Sequence, residues 1–317
     1  MKVEFESIEI SVIIPLYNKK NSIIGALNSV FRQTHPPSEI IVVNDGSTDG
    51  SELLVRSLCH PLIKLVNQKN AGVSAARNKG IELARCKWVA FLDADDFWET
   101  TYLNTIKKLH LEFEKAKVLA TSYRYQLFTG KFVEIKLNKI DLMYGETGIL
   151  NNYFEVSSYS NPPIFSSAVV VYNESLLDIG GFPLRVKSGE DLITWAKLAL
   201  DNEIAYSTKV GATFVLDPAH SYDDKPNRFP QQPDIVGNEL KRLYNENKKT
   251  IGFKKYVSHW HKMRASIYIR LDLKKEAFHE IIIALKYNLL NYKLYAYLIL
   301  LLLPLKLRIN LFKKLGN

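Results

Sequence analysis

The chain has 317 residues, of which 47% are hydrophobic and 24% are charged, as is typical of globular proteins. This composition excludes an intrinsically disordered chain and a collagen-like chain. Two cysteines are too few for a disulfide framework. The first ten residues have neither the basic segment nor the apolar core of a secretory signal, so the expected location is the cytoplasm.

The net charge of +9 is unevenly distributed. Residues 241–317 contain 17 Lys and Arg against 4 Asp and Glu, whereas the rest of the chain has more acidic than basic residues. These basic residues alternate with Leu, Ile, Tyr and Phe. Such a pattern fits an anionic membrane surface better than duplex nucleic acid.

Short runs rich in Val and Ile alternate with amphipathic stretches from residue 10 to about residue 125. This alternation predicts an α/β fold, with a parallel sheet covered by helices. The predicted strands are 10–15, 40–44, 63–67, 88–92 and 118–123. The predicted helices are 22–32, 49–57, 74–84 and 101–114, and each begins with a Ser, Asp or Thr that could cap it.

Residues 125–165 have no clear period, and an apolar strand is predicted after them at 167–172. A Gly-Gly-Phe-Pro turn follows at 180–183, and Gly189-Glu190-Asp191 then opens a further helix. The composition becomes polar and Pro-rich at 223–233. We therefore predict an α/β domain over residues 1–225 and a basic, apolar helical tail over residues 226–317.

Polar residues follow three of the predicted strands, at 15–18, 44–49 and 93–96. In parallel sheets, ligands bind beyond the carboxyl ends of the strands, so these segments are the candidate site. Neither a Gly-rich dinucleotide fingerprint nor a Walker-type loop occurs in the sequence. Hydride transfer and P-loop phosphoryl transfer are therefore disfavoured.

Three carboxylates, Asp93, Asp95 and Asp96, lie within four residues at the end of an apolar strand. Burying like charges is unfavourable unless a cation compensates them. Mg²⁺ or Mn²⁺ would suit these oxygen ligands and is usually shared with substrate phosphates, which indicates a nucleoside diphosphate. An Asp-rich turn that merely ends the strand, with Asp96 as a solvated surface charge, explains these three residues equally well.

Four segments give a more specific indication: SVIIPLYNKKNSI, IIVVNDGSTDGS, NAGVSAARNKGIELA and WVAFLDADD. In this order and spacing they resemble the inverting family 2 glycosyltransferases of the GT-A fold. The resemblance covers about the first two thirds of the chain and continues in GGFP and GEDL. It implies a Rossmann-like, mostly parallel sheet with flanking helices. It also implies metal-dependent transfer of a hexosyl or N-acetylhexosaminyl group from a nucleoside diphosphate, with UDP expected.

The resemblance also implies roles for single residues. The implied donor-binding residues are Pro15, Tyr17, Asn18, Asp45, Arg77, Asp93 and Ala94. The implied ligands of a Mn²⁺ or Mg²⁺ ion are Asp95 and His220. Asp191 is implied as the base that takes the proton of the acceptor hydroxyl, and Glu190 as a residue that orients the acceptor or the donor sugar.

Each role has an ordinary alternative. Tyr17 could cover the sheet edge, Asp45 could form an Asx turn, and Arg77 could be an exposed helix charge. The carboxylate of Asp191 could simply stabilise a helix N-terminus. A lone histidine such as His220 is usually not a metal ligand.

The tail contains a ten-residue apolar run, 294–303, which is short of the ~20 residues needed to span a bilayer. The tail is therefore predicted to lie on the inner membrane surface, with Lys306, Arg308, Lys313 and Lys314 towards the headgroups. A helical hairpin that buries residues 298–303 is the alternative.

The predicted function is non-processive transfer to a surface glycan, because the Gln-x-x-Arg-Trp segment of processive members is missing. A polyprenyl-phosphate sugar transferase and a non-catalytic, membrane-bound nucleotide-sugar-binding protein remain alternatives. A sugar-nucleotide pyrophosphorylase would need a Gly-rich, Arg-containing loop after the first strand, and PLYNKKNS differs from it.

Overall fold

The computed structural model describes residues 8–216 and 229–316, and the chain divides into two compact units. Of the described residues, the first unit contains 8–151 together with Asn161–Leu216. The second contains Asn152–Ser160 together with residues 229–316. The domain boundary predicted at residue 225 falls outside the described residues and stays a prediction.

The strands of the first unit form one sheet, in the order β3-β2-β1-β4-β9-β6-β10-β5, with β7 on β6 and β8 on β10. Their bounds are β1 Ile10–Leu16, β2 Glu39–Asn44, β3 Ile63–Asn67, β4 Trp88–Phe91, β5 Phe97–Trp98, β6 Val118–Gln126, β7 Phe132–Glu134, β8 Thr147–Ile149, β9 Val169–Tyr172 and β10 Ile204–Val215.

Six strands of this sheet run in one direction. β1 is parallel to β2 and β4, β2 is parallel to β3, and β6 is parallel to β10. β9 lies between β4 and β6 and is antiparallel to both, so β4 and β6 point the same way. The carboxyl ends of the six strands therefore share one edge of the sheet, and the predicted mostly parallel α/β architecture is confirmed.

Helices cover this sheet: α1 Ile23–Phe31, α2 Ser51–Ser57, α3 Val73–Leu83, α4 Tyr102–Glu112, α6 Asn173–Asp178 and α7 Glu190–Asp201. β2 and β4 are buried along their whole length, because helices pack on both faces of a parallel sheet. α3 packs so closely on β1 that a side chain at Gly80 would collide with Ile13. Of the expected side-chain caps, that of Asp49 is present, since its Oδ1 accepts from the N–H of Ser51, the first residue of α2, at 2.9 Å. The caps expected for α1, α3 and α4 are wrong, because these helices begin without a side-chain cap.

β10 was missed by the sequence prediction, although it pairs with β6 over its whole length. Its sequence, IAYSTKVGATFV, mixes apolar residues with Ser, Thr, Lys and Gly. Two register shifts, at Ser207/Val210 and Val210/Ala212, interrupt its pairing with β6. Such irregularities remove the strict alternation by which a strand is recognised in a sequence.

The second unit is helical, as predicted for the tail. Its helices are α5 Tyr153–Tyr159, α8 Ile235–Glu246, α9 Phe253–Arg270, α10 Lys274–Tyr287, α11 Tyr292–Leu302 and α12 Leu305–Gly316. Residues from α9, α10 and α11 form an apolar core that includes Ile281, Leu294 and Leu300. Within the described ranges, no helix combines the length and the apolarity that crossing a membrane requires.

One prediction for the tail is wrong. Arg308 is buried, and its Nη1 lies 2.6 Å from Oδ1 of Asp272, so it does not point towards lipid headgroups. A buried guanidinium needs a carboxylate partner, and Asp272 provides one at the end of α9. Arg308 therefore stabilises the fold of the second unit.

Candidate active site

The loops after β1 and β2 are joined to each other at the carboxyl edge of the sheet. Asn18 has φ of 51° and accepts a hydrogen bond from Thr48 N through its Oδ1, at 2.8 Å. Its own N–H donates to Ser47 Oγ at 3.1 Å. Asp49 accepts from Lys20 N at 2.9 Å, which adds a third link. The two loops thus hold a fixed position beside the acidic cluster that follows β4.

The residues of the β1 loop differ in exposure. The ring of Tyr17 is exposed, so a nucleobase could stack on it. Pro15 is half-buried in β1. In the β4 loop, the side chain of Ala94 is buried. The roles predicted for these residues and for Asn18 stay predictions.

Asp45 lies at the end of β2 and is only 3% exposed. Its Oδ1 accepts from Gln68 Nε2 at 2.8 Å and from Ala71 N at 2.9 Å, and its Oδ2 accepts from Gly72 N at 2.8 Å. Three donors therefore compensate the buried carboxylate. Asp45 positions the loop that precedes α3, and its predicted contact with the nucleoside remains to be tested.

The three carboxylates of the acidic cluster have different partners. Asp93 Oδ1 accepts from Arg77 Nη2 at 2.7 Å. Asp95 Oδ2 lies 2.5 Å from Lys19 Nζ, and the two side chains are 32% and 40% exposed. Asp96 is 1% exposed, so its interpretation as a solvated surface charge is wrong.

Asp96 is held by groups from distant strands. Its Oδ1 accepts from Val215 N in β10 at 3.1 Å, and its Oδ2 lies 2.6 Å from Ser167 Oγ, in the 3₁₀ turn Ser166–Ala168 that precedes β9. Ser167 Oγ also accepts from Asp93 N at 3.1 Å. Burial and the neighbouring Asp93 carboxylate raise the pKa of Asp96 well above its usual range. Asp96 is thus a buried support for the acidic loop.

Arg77, on α3, is 3% exposed, so its interpretation as an exposed helix charge is also wrong. Its Nη2 bonds Asp93, its Nη1 lies 3.3 Å from Glu190 Oε1, and its guanidinium carbon lies 5.1 Å from the centre of the Phe182 ring. Burial lowers the pKa of Arg77, but the two carboxylates outweigh this effect and raise it. The predicted contact between Arg77 and a diphosphate stays a prediction.

A residue beside Arg77, which the sequence analysis did not select, fixes the Gly-Gly-Phe-Pro turn. Asn78 Nδ2 donates to Phe182 O at 2.8 Å, and Phe182 N donates to Asn78 Oδ1 at the same distance. A side chain at Gly181 would meet Asn78 Oδ1 at 2.6 Å, so only glycine fits there. The signal that could have indicated Asn78 was its place in the NAGVSAARNKG segment.

Glu190 and Asp191 occupy the first turn of α7, after Gly189 with φ of 89°. Asp191 is partly buried, and its Oδ1 accepts from Leu192 N at 2.9 Å. Burial, followed by the Glu190 carboxylate, raises the pKa of Asp191 to about 7, against the opposing effect of Arg77. A carboxylate with a pKa near the working pH is suited to proton transfer. Its position at a helix N-terminus is compatible with that role.

Arg77 links the two acidic segments. It contacts Asp93, which follows β4, and Glu190, which stands beside Asp191. The sequence analysis did not place the 189–191 segment beside the acidic cluster, and the contacts of Arg77 bring the two together. The carboxylates predicted to act on the donor and on the acceptor belong to one charge network.

Asp95 is the member of the acidic cluster that could best hold a cation. Asp93 is held by a buried guanidinium, and Asp96 is enclosed by backbone and hydroxyl groups. Asp95 is partly exposed, and its partner Lys19 has a flexible side chain. One hard carboxylate oxygen, with substrate phosphates supplying further ligands, fits Mg²⁺ or Mn²⁺. His220, the second predicted ligand, lies outside the described residues.

A separate group of potential ligands lies in the second unit. One ligand atom from each of Asp234, His261 and Glu280 lies within 4.8 Å of the others. However, Arg264 Nε lies 2.7 Å from Glu280 Oε1 and 3.3 Å from Asp234 Oδ2. His261 Nδ1 lies 2.6 Å from Glu280 Oε2. Because a guanidinium already compensates the carboxylates, we interpret this group as a buried ion-pair network that joins α8, α9 and α10.

Comparison with known sequences identifies relatives for most of the first unit. A sequence model described as "Glycosyl transferase family 2" matches residues 11–175, just over half of the chain. The uncharacterized glycosyltransferase RC0461 of Rickettsia conorii is 34% identical over 197 residues, which are 62% of this chain and 31% of that protein. The chain thus spans about a third of the length of this relative.

A second relative has a more specific name. WfgD of Escherichia coli, a UDP-Glc:alpha-D-GlcNAc-diphosphoundecaprenol beta-1,3-glucosyltransferase, is 27% identical over 267 residues, which are 78% of this chain and 95% of that protein.

Among solved structures, that of S. aureus TarS 1-349 in complex with UDP-GlcNAc superposes with a TM-score of 0.62 at 20% identity. The superposition covers 88% of this chain and 81% of that chain. At this identity the likeness concerns the fold, and the predicted GT-A fold class is confirmed.

Proposed function

Because the chain belongs to glycosyltransferase family 2, we propose that it is an inverting, non-processive, metal-dependent glycosyltransferase. It moves a hexosyl or N-acetylhexosaminyl group from a UDP-linked donor to a hydroxyl of a surface-glycan acceptor. The observation that carries the proposal is the contact of Arg77 with both Asp93 and Glu190. This contact holds Asp93 in a fixed relation to the helix turn that bears Asp191.

Inversion requires a base on one face of the sugar while the nucleoside diphosphate leaves from the other. Asp191 fits this task, because its pKa of about 7 allows it to take a proton near neutral pH. It removes the proton of the acceptor hydroxyl as the hydroxyl oxygen bonds to the anomeric carbon. Glu190, fixed by Arg77, orients the acceptor or the donor sugar.

The donor side combines an exposed ring with charged groups. Tyr17 stacks on the base, while Asp45 and Asp93 contact the nucleoside. A divalent cation held by Asp95, when bound, neutralises charge on the leaving diphosphate. Lys19 Nζ pairs with Asp95, and when a cation takes its place it turns to a phosphate oxygen of the donor and forms an ion pair there. His220 is proposed as a further ligand.

The names of the relatives support the substrate classes. WfgD is named for a UDP-Glc donor and a diphosphoundecaprenol-linked acceptor, and a TarS structure holds UDP-GlcNAc. We extend to this chain a UDP-sugar donor and an acceptor carried on a lipid. We also propose a cytoplasmic enzyme at the inner membrane face, with the catalytic domain at residues 1–225 and the helical tail at residues 226–317.

A thermal-shift panel tests the donor assignment. UDP-glucose, UDP-GlcNAc, UDP-galactose and GDP-mannose are compared with Mn²⁺ and with a chelator. A UDP-sugar is expected to raise the melting temperature only with Mn²⁺, because a ligand that binds the folded state stabilises it. The Asp95→Ala variant should lose this rise. Asp201→Ala, which removes an exposed carboxylate at the other end of α7, should keep it.

Two outcomes would contradict the proposal. One is a panel in which no nucleotide sugar raises the melting temperature. The other is an equal rise in the chelator, which would show that no cation takes part. With the identified donor, an NMR spectrum of the product tests inversion, since the anomeric configuration must be opposite to that of the donor.

A further inference from the structure

Helix α11 has two apolar sides, of which one is buried. Leu294, Tyr297, Leu300 and Leu301 pack into the core of the second unit. Tyr292, Tyr295, Ile299 and Leu302 are exposed. At 3.6 residues per turn, the exposed residues fall within about 80° of the helix circumference, on the side opposite to the buried ones.

The turn before α11 extends this exposed side. Leu290 is 93% exposed and Leu302, at the other end of the helix, is 83% exposed. Tyr295 Oη donates to Leu289 O at 2.9 Å, which ties the turn to the helix. We call the exposed residues of the turn and the helix the α11 outer face: Leu289, Leu290, Tyr292, Tyr295, Ile299 and Leu302. Contiguous exposed apolar surface of this kind marks an interaction site.

The segment of the chain that contains α11 carries charge of one sign in the sequence. After Glu280 the chain contains six Lys and Arg and no Asp or Glu. Lys286, at the end of α10, and Lys306, in the first turn of α12, are exposed on either side of α11 in the sequence. An exposed apolar helix face between exposed lysines of the neighbouring helices in the chain matches the two parts of an anionic bilayer, its acyl chains and its charged headgroups.

We propose that the α11 outer face docks on an anionic lipid bilayer, with the helix axis along the membrane surface. Leu290, Ile299 and Leu302 enter the acyl region, while Tyr292 and Tyr295 lie at the headgroup level that aromatic rings prefer. The inference deepens the proposed function, on which it rests for the lipid-linked acceptor, by naming the residues that hold the enzyme at the membrane.

A second copy of the chain fits this face less well. A symmetric dimer through the α11 outer face would bring two copies of the same basic segment together. Like charges across an interface oppose association, and the segment after Glu280 contains no Asp or Glu that could compensate them. The charge pattern therefore favours the bilayer.

Vesicle co-sedimentation of the full chain tests the proposal. The wild type is expected to sediment with vesicles of phosphatidylcholine and phosphatidylglycerol, and to bind phosphatidylcholine alone more weakly. The triple variant Leu290→Ser, Ile299→Ser, Leu302→Ser should partition at least about tenfold more weakly, because it loses the inserted side chains. Lys286→Glu with Lys306→Glu should reduce the dependence on phosphatidylglycerol.

A matched control variant carries three substitutions of exposed apolar residues outside the α11 outer face: Leu53→Ser, Leu177→Ser and Ile251→Ser. This control should bind vesicles as the wild type does. Circular dichroism establishes that each variant is folded.

UDP binding in the presence of Mn²⁺, measured on the same samples, separates this inference from the proposed function. UDP binding without vesicle binding would overturn the docking surface alone, and vesicle binding without UDP binding would overturn the enzyme assignment alone.

Two further results would overturn the docking surface. One is equal vesicle binding by the wild type and the Leu290, Ile299, Leu302 variant. The other is a wild type that ignores vesicles and is a dimer by light scattering, while the triple variant is a monomer, which would assign the α11 outer face to a second copy.

Discussion

The carboxylate of Asp191 is the proposed catalytic base, so its substitution tests the chemistry of the site most directly. Replacing it as Asp191→Asn keeps the shape of the side chain but removes the base. We expect the rate of sugar transfer to fall by about 10² to 10⁴-fold, the usual contribution of a positioned base. UDP binding should be unchanged, because the diphosphate is proposed to lie at Asp95, whereas Asp191 is proposed to contact the acceptor. A loss of less than about threefold, in a radiometric transfer assay, would exclude Asp191 as the base.

The pH dependence of the reaction reports the same residue. Burial and the Glu190 carboxylate raise the pKa of Asp191 to about 7, so the base is mostly protonated, and inactive, below neutral pH. The kcat/KM for the acceptor should therefore rise with pH, pass its midpoint near pH 7 and level off above it. A profile that is flat through neutral pH would contradict the assignment.

Lys19 is a site residue that the structure adds. Its ammonium group lies on Asp95, where it occupies the carboxylate proposed for the cation. In Lys19→Met that competition is removed, and Mn²⁺ alone should bind up to about fivefold more tightly, since a partly exposed ion pair contributes about 1 kcal/mol or less. Electron paramagnetic resonance of free Mn²⁺ measures the affinity. Unchanged or weaker Mn²⁺ binding would show that Lys19 and the cation do not share Asp95.

At the scale of secondary-structure elements, the buried guanidinium of Arg77 joins one helix to the starts or ends of two other elements. Arg77 belongs to α3, Asp93 follows β4, and Glu190 begins α7. Arg77→Met would leave two carboxylates near each other without compensation, and we expect the free energy of unfolding to fall by about 2 to 4 kcal/mol. Urea denaturation measures this change.

A control for Arg77 is available on the same helix. Lys79 pairs with Glu82 at the surface of α3, so Lys79→Met should cost less than about 1 kcal/mol. Equal effects of the two substitutions would show that the Arg77 contacts do not stabilise the arrangement of α3, β4 and α7.

The strands β1 to β4 were predictable because the sequence of each strand alone indicates it. β1, β2 and β4 are largely buried apolar runs, whereas the edge strand β3 also contains Lys and Asn. The structure places the ends of all four within one residue of the predicted bounds. Parallel strands buried on both faces need such runs. The polar segments after β1, β2 and β4 were predictable as the site for the same reason, since the carboxyl ends of parallel strands share an edge.

Contacts between distant residues were not predictable. The Lys19–Asp95 pair spans 76 residues, and the Asp96–Val215 bond spans 119. Each depends on the position of a loop or on β10, whose bulged sequence hides its alternation. The burial of Arg77 likewise depends on Phe182 and Glu190, both more than 100 residues away in the chain. Local patterns therefore predicted the elements but not the partners of their charged residues.

For the molecule as a whole, the central claim is that Asp95 holds a cation that in turn binds the diphosphate of the donor. Calorimetric titration with UDP tests this claim most directly. UDP is titrated into three samples: the wild type with Mn²⁺, the wild type with a chelator, and Asp95→Ala with Mn²⁺. We predict binding in the first case and a loss of at least about tenfold in the other two, with Asp201→Ala behaving as the wild type. UDP binding that is indifferent to both Mn²⁺ and Asp95 would contradict the account.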